Sequence, residues 1–180
     1  MVDTQKTLRL LKKHFTVLGP VDVDQQGLVN VKGGVFLRGS MRQMPIRFGT
    51  VLGTFRCYNS GLVTLEGSPR VVKEGFYCQY NNLSSLEGAP EWVGDSFRCY
   101  ENPLTSLEGI PQYIGDNVTV TWNEHLPLLR LLPYWNVTLE RVPSPVYNIM
   151  HKYEGSKNPA NILRCASELN EAGFEGNAEW

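Results

Sequence analysis

Between Phe55 and Asn117 a unit of 21 residues is written three times without a gap: FRCYNSGLVTLEGSPRVVKEG, FYCQYNNLSSLEGAPEWVGDS and FRCYENPLTSLEGIPQYIGDN. A unit this short cannot bury an apolar side alone, so it is stable only when copies stack and share one continuous core. The repeat therefore predicts a solenoid of period 21, with one strand per coil aligned into a parallel sheet.

The repeat weakens on both sides. Val35-Phe36-Leu37 stands 20 residues before Phe55-Arg56-Cys57, and Met44-Pro45 stands where later units carry their proline. Gly34 to Thr54 thus reads as a degenerate first coil. The runs VDV, LVNV and VFL, separated by glycines, read as short strands. Beyond the clean units a fourth begins at Val118. Its Leu126, Leu129 and Pro133 follow Leu104, Leu107 and Pro111 by 22 residues rather than 21, which marks one inserted residue in the turn. Asn136 to Glu140 reads as a last short strand.

The ends carry a different period. Leu8, Leu11, Phe15 and Leu18 fall on one stripe and predict a helix from Thr7 to Leu18, capped by Asp3 or Thr4 and stopped by Gly19-Pro20. Such a helix would cover the first coil's apolar edge, with its lysines and arginines in solvent. Ser144-Pro145 opens a second helix with Val146, Ile149, Met150 and Tyr153 on one face. Asn158-Pro159 opens a third, with Ile162, Leu163, Ala166, Leu169 and Ala172 inward and Gly173 as its C-cap. The expected fold is an α/β repeat solenoid forming one structural domain. It comprises a capping helix (1–20), a degenerate first coil or coils (21–54), repeat coils (55–140) and a helical C-terminal cap (141–180).

The third unit carries a family resemblance. Its residues Val93-xxx-Phe97-x-Cys99-xx-Asn102-x-Leu104-xx-Leu107-xxx-Pro111 resemble the short bacterial leucine-rich repeat, L-xx-L-x-L/V-xx-N-x-L-xx-L-P. Phe and Cys stand where that family usually has Leu and Val or Ile. The unit F-x-C-xx-N-x-L-x-S-L-E-G-x-P is more similar still to uncharacterised phage-encoded leucine-rich-repeat proteins, over roughly Gly27 to Leu132. This resemblance implies a virus-encoded cytosolic factor acting on a host protein, with inhibition of a host defence system in view.

Reading down the repeat separates core from surface. Phe55, Phe76, Phe97 and Val118, with Leu65, Leu86 and Leu107, are the inward positions. Ser60, Asn81, Asn102 and Asn123 share a column where an amide can bond backbone groups of adjoining coils. Cys57, Cys78 and Cys99 stack one per coil, as a thiol metal site would. The same column holds Leu37 and Val120, however, so the position reads as one for a small apolar side chain. Neither a metal nor a disulfide is expected, at these cysteines or at Cys165. Glu66, Glu87 and Glu108 form an acidic column beside Gly67, Gly88 and Gly109. They read as turn residues accepting backbone N–H bonds, with a cation or basic partner as the alternative.

The strand residues between the inward ones should line an outward face: Phe36, Arg56, Tyr77, Arg98 and Thr119 in one column, and Arg38, Tyr58, Gln79, Tyr100 and Thr121 in the next. Tyr80 and Trp122 lie just beyond. Arg, Tyr and Trp dominate binding hot spots because they bury much area and still hydrogen-bond. The residues expected to meet a protein partner are Phe36, Arg38, Arg56, Tyr58, Tyr77, Gln79, Tyr80, Arg98, Tyr100 and Trp122.

Other function classes find little support. A hydrophobic content of 42%, a charged content of 19% and a net charge of -1 are those of an ordinary soluble chain with no global attraction to phosphate. No basic run exceeds Lys12-Lys13, so no nucleic-acid partner is expected. No stretch approaches the roughly 20 apolar residues of a membrane span, and charges interrupt the N-terminal segment, so the expected setting is cytoplasmic, without a membrane. His14, His125 and His151 lie apart, and no phosphate-binding or nucleophile motif is present. The expected function is non-enzymatic, without cofactor, metal or catalytic residue: a protein-interaction module. A virion assembly component and a regulatory subunit of an enzyme are the alternatives.

Overall fold

The computed structural model describes residues 3–180; Met1 and Val2 of the expected 1–20 cap lie outside them. Its body is a β-solenoid of about five turns with the period read from the repeat. The chain runs α1 (Thr4–His14), β1 (Phe15–Val17), β2 (Val21–Val23), β3 (Val29–Val31), β4 (Val35–Leu37), β5 (Phe48–Val51) and β6 (Phe55–Arg56). It continues through β7 (Val71–Val72), β8 (Phe76–Tyr77), β9 (Trp92–Val93), β10 (Phe97–Arg98), β11 (Tyr113–Ile114), β12 (Val118–Thr121) and β13 (Val137–Glu140). It ends with α2 (Ser144–Tyr153) and α3 (Pro159–Glu171).

The expected parallel sheet is present, and the return leg of most coils adds a second strand. The first sheet has the order β1-β4-β6-β8-β10-β12-β13 and the second β11-β9-β7-β5-β3-β2. Sequence reasoning assigned one strand per coil, from the length of the period. The pairs Val71-Val72, Trp92-Val93 and Tyr113-Ile114 nevertheless alternate outward and inward like any strand. The repeats are in register, Phe55 against Phe76 and Phe76 against Phe97.

The core lies between the sheets. Phe55, Phe76, Phe97 and Val118 are fully buried, as are Leu65, Leu86 and Leu107. Phe55 and Phe76 stack at 5.5 Å between ring centres, and Phe76 and Phe97 at 5.7 Å. At the first coils Phe15 and Phe48 continue the row edge to face. Aromatic pairs at such spacings contribute about 0.5–1.5 kcal/mol beyond the area they bury.

The asparagine column is the polar spine of this core. Asn81 accepts from the backbone N–H of Ser60 and of Leu62, both at 3.0 Å, and donates to the carbonyls of Cys57 and Cys78, both at 2.9 Å. Asn102 repeats the pattern one coil on, accepting from Leu83 and donating to Cys78 and Cys99. One amide thus satisfies donors and acceptors on two coils where the strand ends and the ladder stops. The preceding residue enters the left-handed region at Asn59, Tyr80 and Glu101, which turns the chain so that the amide points inward.

The corner after each L-E-G is a β-turn closed by Ser68 N–H to Leu65, Ala89 to Leu86 and Ile110 to Leu107. Gly109 has φ +85°, and a Cβ on it would lie 2.3 Å from the Leu86 carbonyl oxygen of the coil below. Close coil approach, as well as the turn, therefore requires glycine there.

The ends depart in part from the expected helices. α1 stops at His14, and Phe15–Val17 extends to pair antiparallel with Val35–Leu37, leaving Leu18 exposed. Without that strand the edge of β4 would carry unpaired backbone groups, and pairing them outweighs one more helical turn. Asp3 caps α1 as expected, accepting from Lys6 N–H. α2 begins at Ser144, whose side chain makes no capping bond, and α3 is capped by Asn158. In α3 Cys165 and Leu169 are buried, whereas Leu163, expected inward, is 71% exposed and Ala172 is exposed. The tail docks through Asn177, which is buried, accepts from Trp122 Nε1 at 3.0 Å and donates to the carbonyls of Asn123 and Leu126, while Glu179 and Trp180 are exposed. None of the described helices is long and apolar enough to cross a membrane.

Candidate functional site

The inward positions of the first sheet are filled by Phe and Cys, so its outward residues alternate with fully buried ones and are fixed in register. In the first outward column the side chains stack across strands. Arg56 lies over the Phe36 ring at 5.2 Å and over Tyr77 at 5.6 Å, and Arg98 lies over Tyr77 at 5.2 Å. Because β8 runs between β6 and β10, the two guanidinium groups flank Tyr77. Each contact is a cation–π pair of about 0.5–1 kcal/mol at an exposed site. Both arginines are exposed, and among the described residues neither has a hydrogen-bond acceptor or a carboxylate partner. The ring contacts place the two guanidinium groups, and their N–H groups have no hydrogen-bond acceptor among the described residues.

The second column is less uniform. Arg38 is turned back to the N-terminal cap, where it donates to the Lys12 carbonyl. Tyr58 is 48% exposed and Tyr80, at the strand end, 52%. Tyr100 packs edge to face on Tyr80 at 5.2 Å. Its hydroxyl is pushed above the ordinary value, first by partial desolvation and then by the neighbouring Tyr80. Gln79 lies within this group but is only 9% exposed, and its Oε1 is enclosed without a hydrogen-bond partner among the described residues.

The ten residues expected at the face therefore divide. Phe36, Arg56, Tyr77 and Arg98 form one continuous stack, with Tyr58, Tyr80 and Tyr100 beside it. Trp122 lies under the C-terminal tail, its N–H on Asn177 and its ring against Phe174. Thr119, the next position in the first column, is largely buried.

Sequence reasoning missed a second outward column, on the other sheet. Thr50, Val71, Trp92 and Tyr113 are in register there. Trp92 and Tyr113 stack at 5.1 Å, and the Lys73 ammonium sits 4.2 Å from the Trp92 ring centre. Alternation in V-V, W-V and Y-I ahead of each glycine was the available signal. Glu101 was also missed; it follows Tyr100 and pairs with Arg141 at 2.6 Å.

The cysteine and glutamate columns differ in their surroundings. Cys57, Cys78 and Cys99 are fully buried with free thiols, and burial pushes all three well above the ordinary 9.0. Cys165 is pushed up to about 12 by burial. A thiol held this firmly protonated is a poor nucleophile and a poor ligand. Glu66, Glu87 and Glu108 are exposed, and the expected backbone bonds to their carboxylates do not form. The glutamate N–H groups instead donate to hydroxyls two residues earlier, Glu66 to Thr64 Oγ1 and Glu108 to Ser106 Oγ, while the Glu66 carboxylate accepts from Gln43. Glutamate occupies the first central position of each turn, from which its side chain reaches solvent. No group of three metal-ligating side chains is assembled among the described residues.

No family model, curated protein or solved structure matches the chain.

Proposed function

We propose that this chain is a non-enzymatic protein-binding module that docks its partner on the outward face of the first sheet. The observation that carries the reading is the stack Phe36–Arg56–Tyr77–Arg98. It presents two ring-held guanidinium groups that have no hydrogen-bond or carboxylate partner among the described residues, next to the exposed rings of Tyr58 and Tyr80. Pre-ordered side chains lose little conformational entropy on binding, and Arg and Tyr are the residue types that carry most interface energy. The resemblance to phage-encoded leucine-rich-repeat proteins supports the biological part of the proposal, a virus-encoded factor acting in the host cytoplasm on a host protein.

Affinity capture from host lysate tests this, using the wild type and a variant with Arg56, Tyr77, Arg98 and Tyr100 replaced by alanine. The proposal expects a partner retained by the wild type and lost by a variant that is still folded. Identical partner lists would remove the strand face from consideration.

A further inference from the structure

We infer that the ligand of the first sheet's outward face is an acidic, extended segment whose paired carboxylates lie about two coil spacings apart, one on Arg56 and one on Arg98. The inference rests on the strand-face reading and specifies the partner's chemistry.

Charge is the first argument. Among the described residues the only arginines paired with a carboxylate are Arg70 and Arg141, at 2.9 and 2.6 Å; Arg56 and Arg98 are among the arginines that are not, and they are the two held against aromatic rings. Both groups lie against aromatic rings, and their N–H donors are left without a partner among the described residues. A guanidinium edge matches a carboxylate in a two-point, charge-assisted bond.

Stacked bases fit this column less well. Tyr77 has a guanidinium on each side and Phe36 has Arg56 over one face, so a base would have to displace a guanidinium to stack on Tyr77. Nucleobase stacking on an aromatic platform requires an open face. The net charge of -1 supplies no background attraction to a phosphate backbone.

Spacing is the third argument. One strand, β8, lies between the arginines, so two spacings of about 4.8 Å put their carboxylate sites about 10 Å apart. In a polyproline II segment residues i and i+3 share a face at about 9.3 Å, since the helix has three residues per turn and rises 3.1 Å each. Same-face positions of a β-strand fall at about 6.7 or 13 Å, and match less well. Exposed tyrosines such as Tyr58 and Tyr80 are the side chains that line grooves for polyproline II ligands.

The test is fluorescence polarisation with labelled proline-rich peptides bearing either one glutamate or two, the pair placed at positions i and i+1, i and i+3, or i and i+6. The three-residue spacing should bind about tenfold tighter than the others, and its affinity should fall with added salt. Arg56→Gln or Arg98→Gln should each reduce that affinity about tenfold, and the double variant should abolish the spacing preference. Arg56→Lys/Arg98→Lys, which keeps charge but loses the planar fork, should also lose the preference. Equal binding by all peptides, or none below ~1 mM, overturns the inference. Displacement of the peptide by a thymidine oligonucleotide at lower concentration than by unlabelled peptide also overturns it, in favour of nucleic acid. If the alanine variant still loses its captured partner while the peptides show no preference, the strand-face reading stands and the acidic-segment inference fails.

Discussion

Along the second sheet the outward column runs Thr50, Val71, Trp92 and Tyr113, whereas along the first it runs Phe36, Arg56, Tyr77, Arg98 and Thr119. Both columns face away from one shared core, and most coils contribute to both. Inside, each sheet repeats a single solution: Phe and Cys in the first, Val51, Val72 and Val93 in the second. Outside, the second sheet ends in the stacked pair Trp92 and Tyr113, with Lys73 over the Trp92 ring. The first sheet alternates cation and ring. The inward columns are constrained by packing, so their regularity follows from the fold alone. Solenoid geometry does not require the outward alternation, so that is where a binding role is sought.

If the two sheets share one core, damage to it cannot be confined to one of them. Phe76→Ala removes a ring stacked on both neighbours and should cost about 4 kcal/mol, read by denaturant unfolding as a single transition. Separate transitions for different coils would break the comparison at its base. Asn81→Ala should cost somewhat less, about 3 kcal/mol, because it strands buried backbone groups on two coils. Asn81→Asp should not rescue it, since a carboxylate cannot donate to the Cys57 and Cys78 carbonyls.

A smaller effect distinguishes the inward columns themselves. The thiols of Cys57, Cys78 and Cys99 have folded pKa values raised by burial above the ordinary 9.0, and the valines of the second sheet do not titrate. Below pH 9 both folded and unfolded chains keep these thiols protonated, so their contribution to stability is fully present. As pH rises above that value the unfolded chain releases protons that the folded one retains, and stability falls by up to about 1.4 kcal/mol per thiol per pH unit. Chemical unfolding from pH 8 to 10 should show this fall in the wild type. It should be nearly absent for these thiols in Cys57→Val/Cys78→Val/Cys99→Val. An equal fall in both would assign it to other groups.

Much of this organisation was legible in the sequence. Phe55, Phe76, Phe97, the leucines and the asparagines stand in fixed columns, and a column that must fill or brace a shared core reads directly from its period. The helix expected through Leu18 failed because apolar spacing does not register the open edge of β4, which recruited Phe15–Val17 as a strand. Leu163 failed likewise, because its neighbours, rather than its period, decide whether a face is covered. The second sheet was overlooked because two-residue strands give little alternation to detect. For the face itself, Arg56, Tyr77 and Arg98 were placed correctly outward. Burial of Gln79 and coverage of Trp122 depended on partners up to 55 residues distant in the chain.

The most direct test exchanges damage between the two outward columns. Partner capture is measured for Arg56→Gln/Arg98→Gln on the first sheet and for Trp92→Ala/Tyr113→Ala on the second, with thermal unfolding of each. The first pair removes three cation–π contacts and should lose about 1.5–3 kcal/mol of stability while staying folded, and it should lose the partner. The second should lose about 1–2 kcal/mol of stability, from the ring stack and the Lys73 contact, and keep the partner. Retention by the first variant together with loss by the second would contradict the assignment and move the binding surface to the opposite sheet.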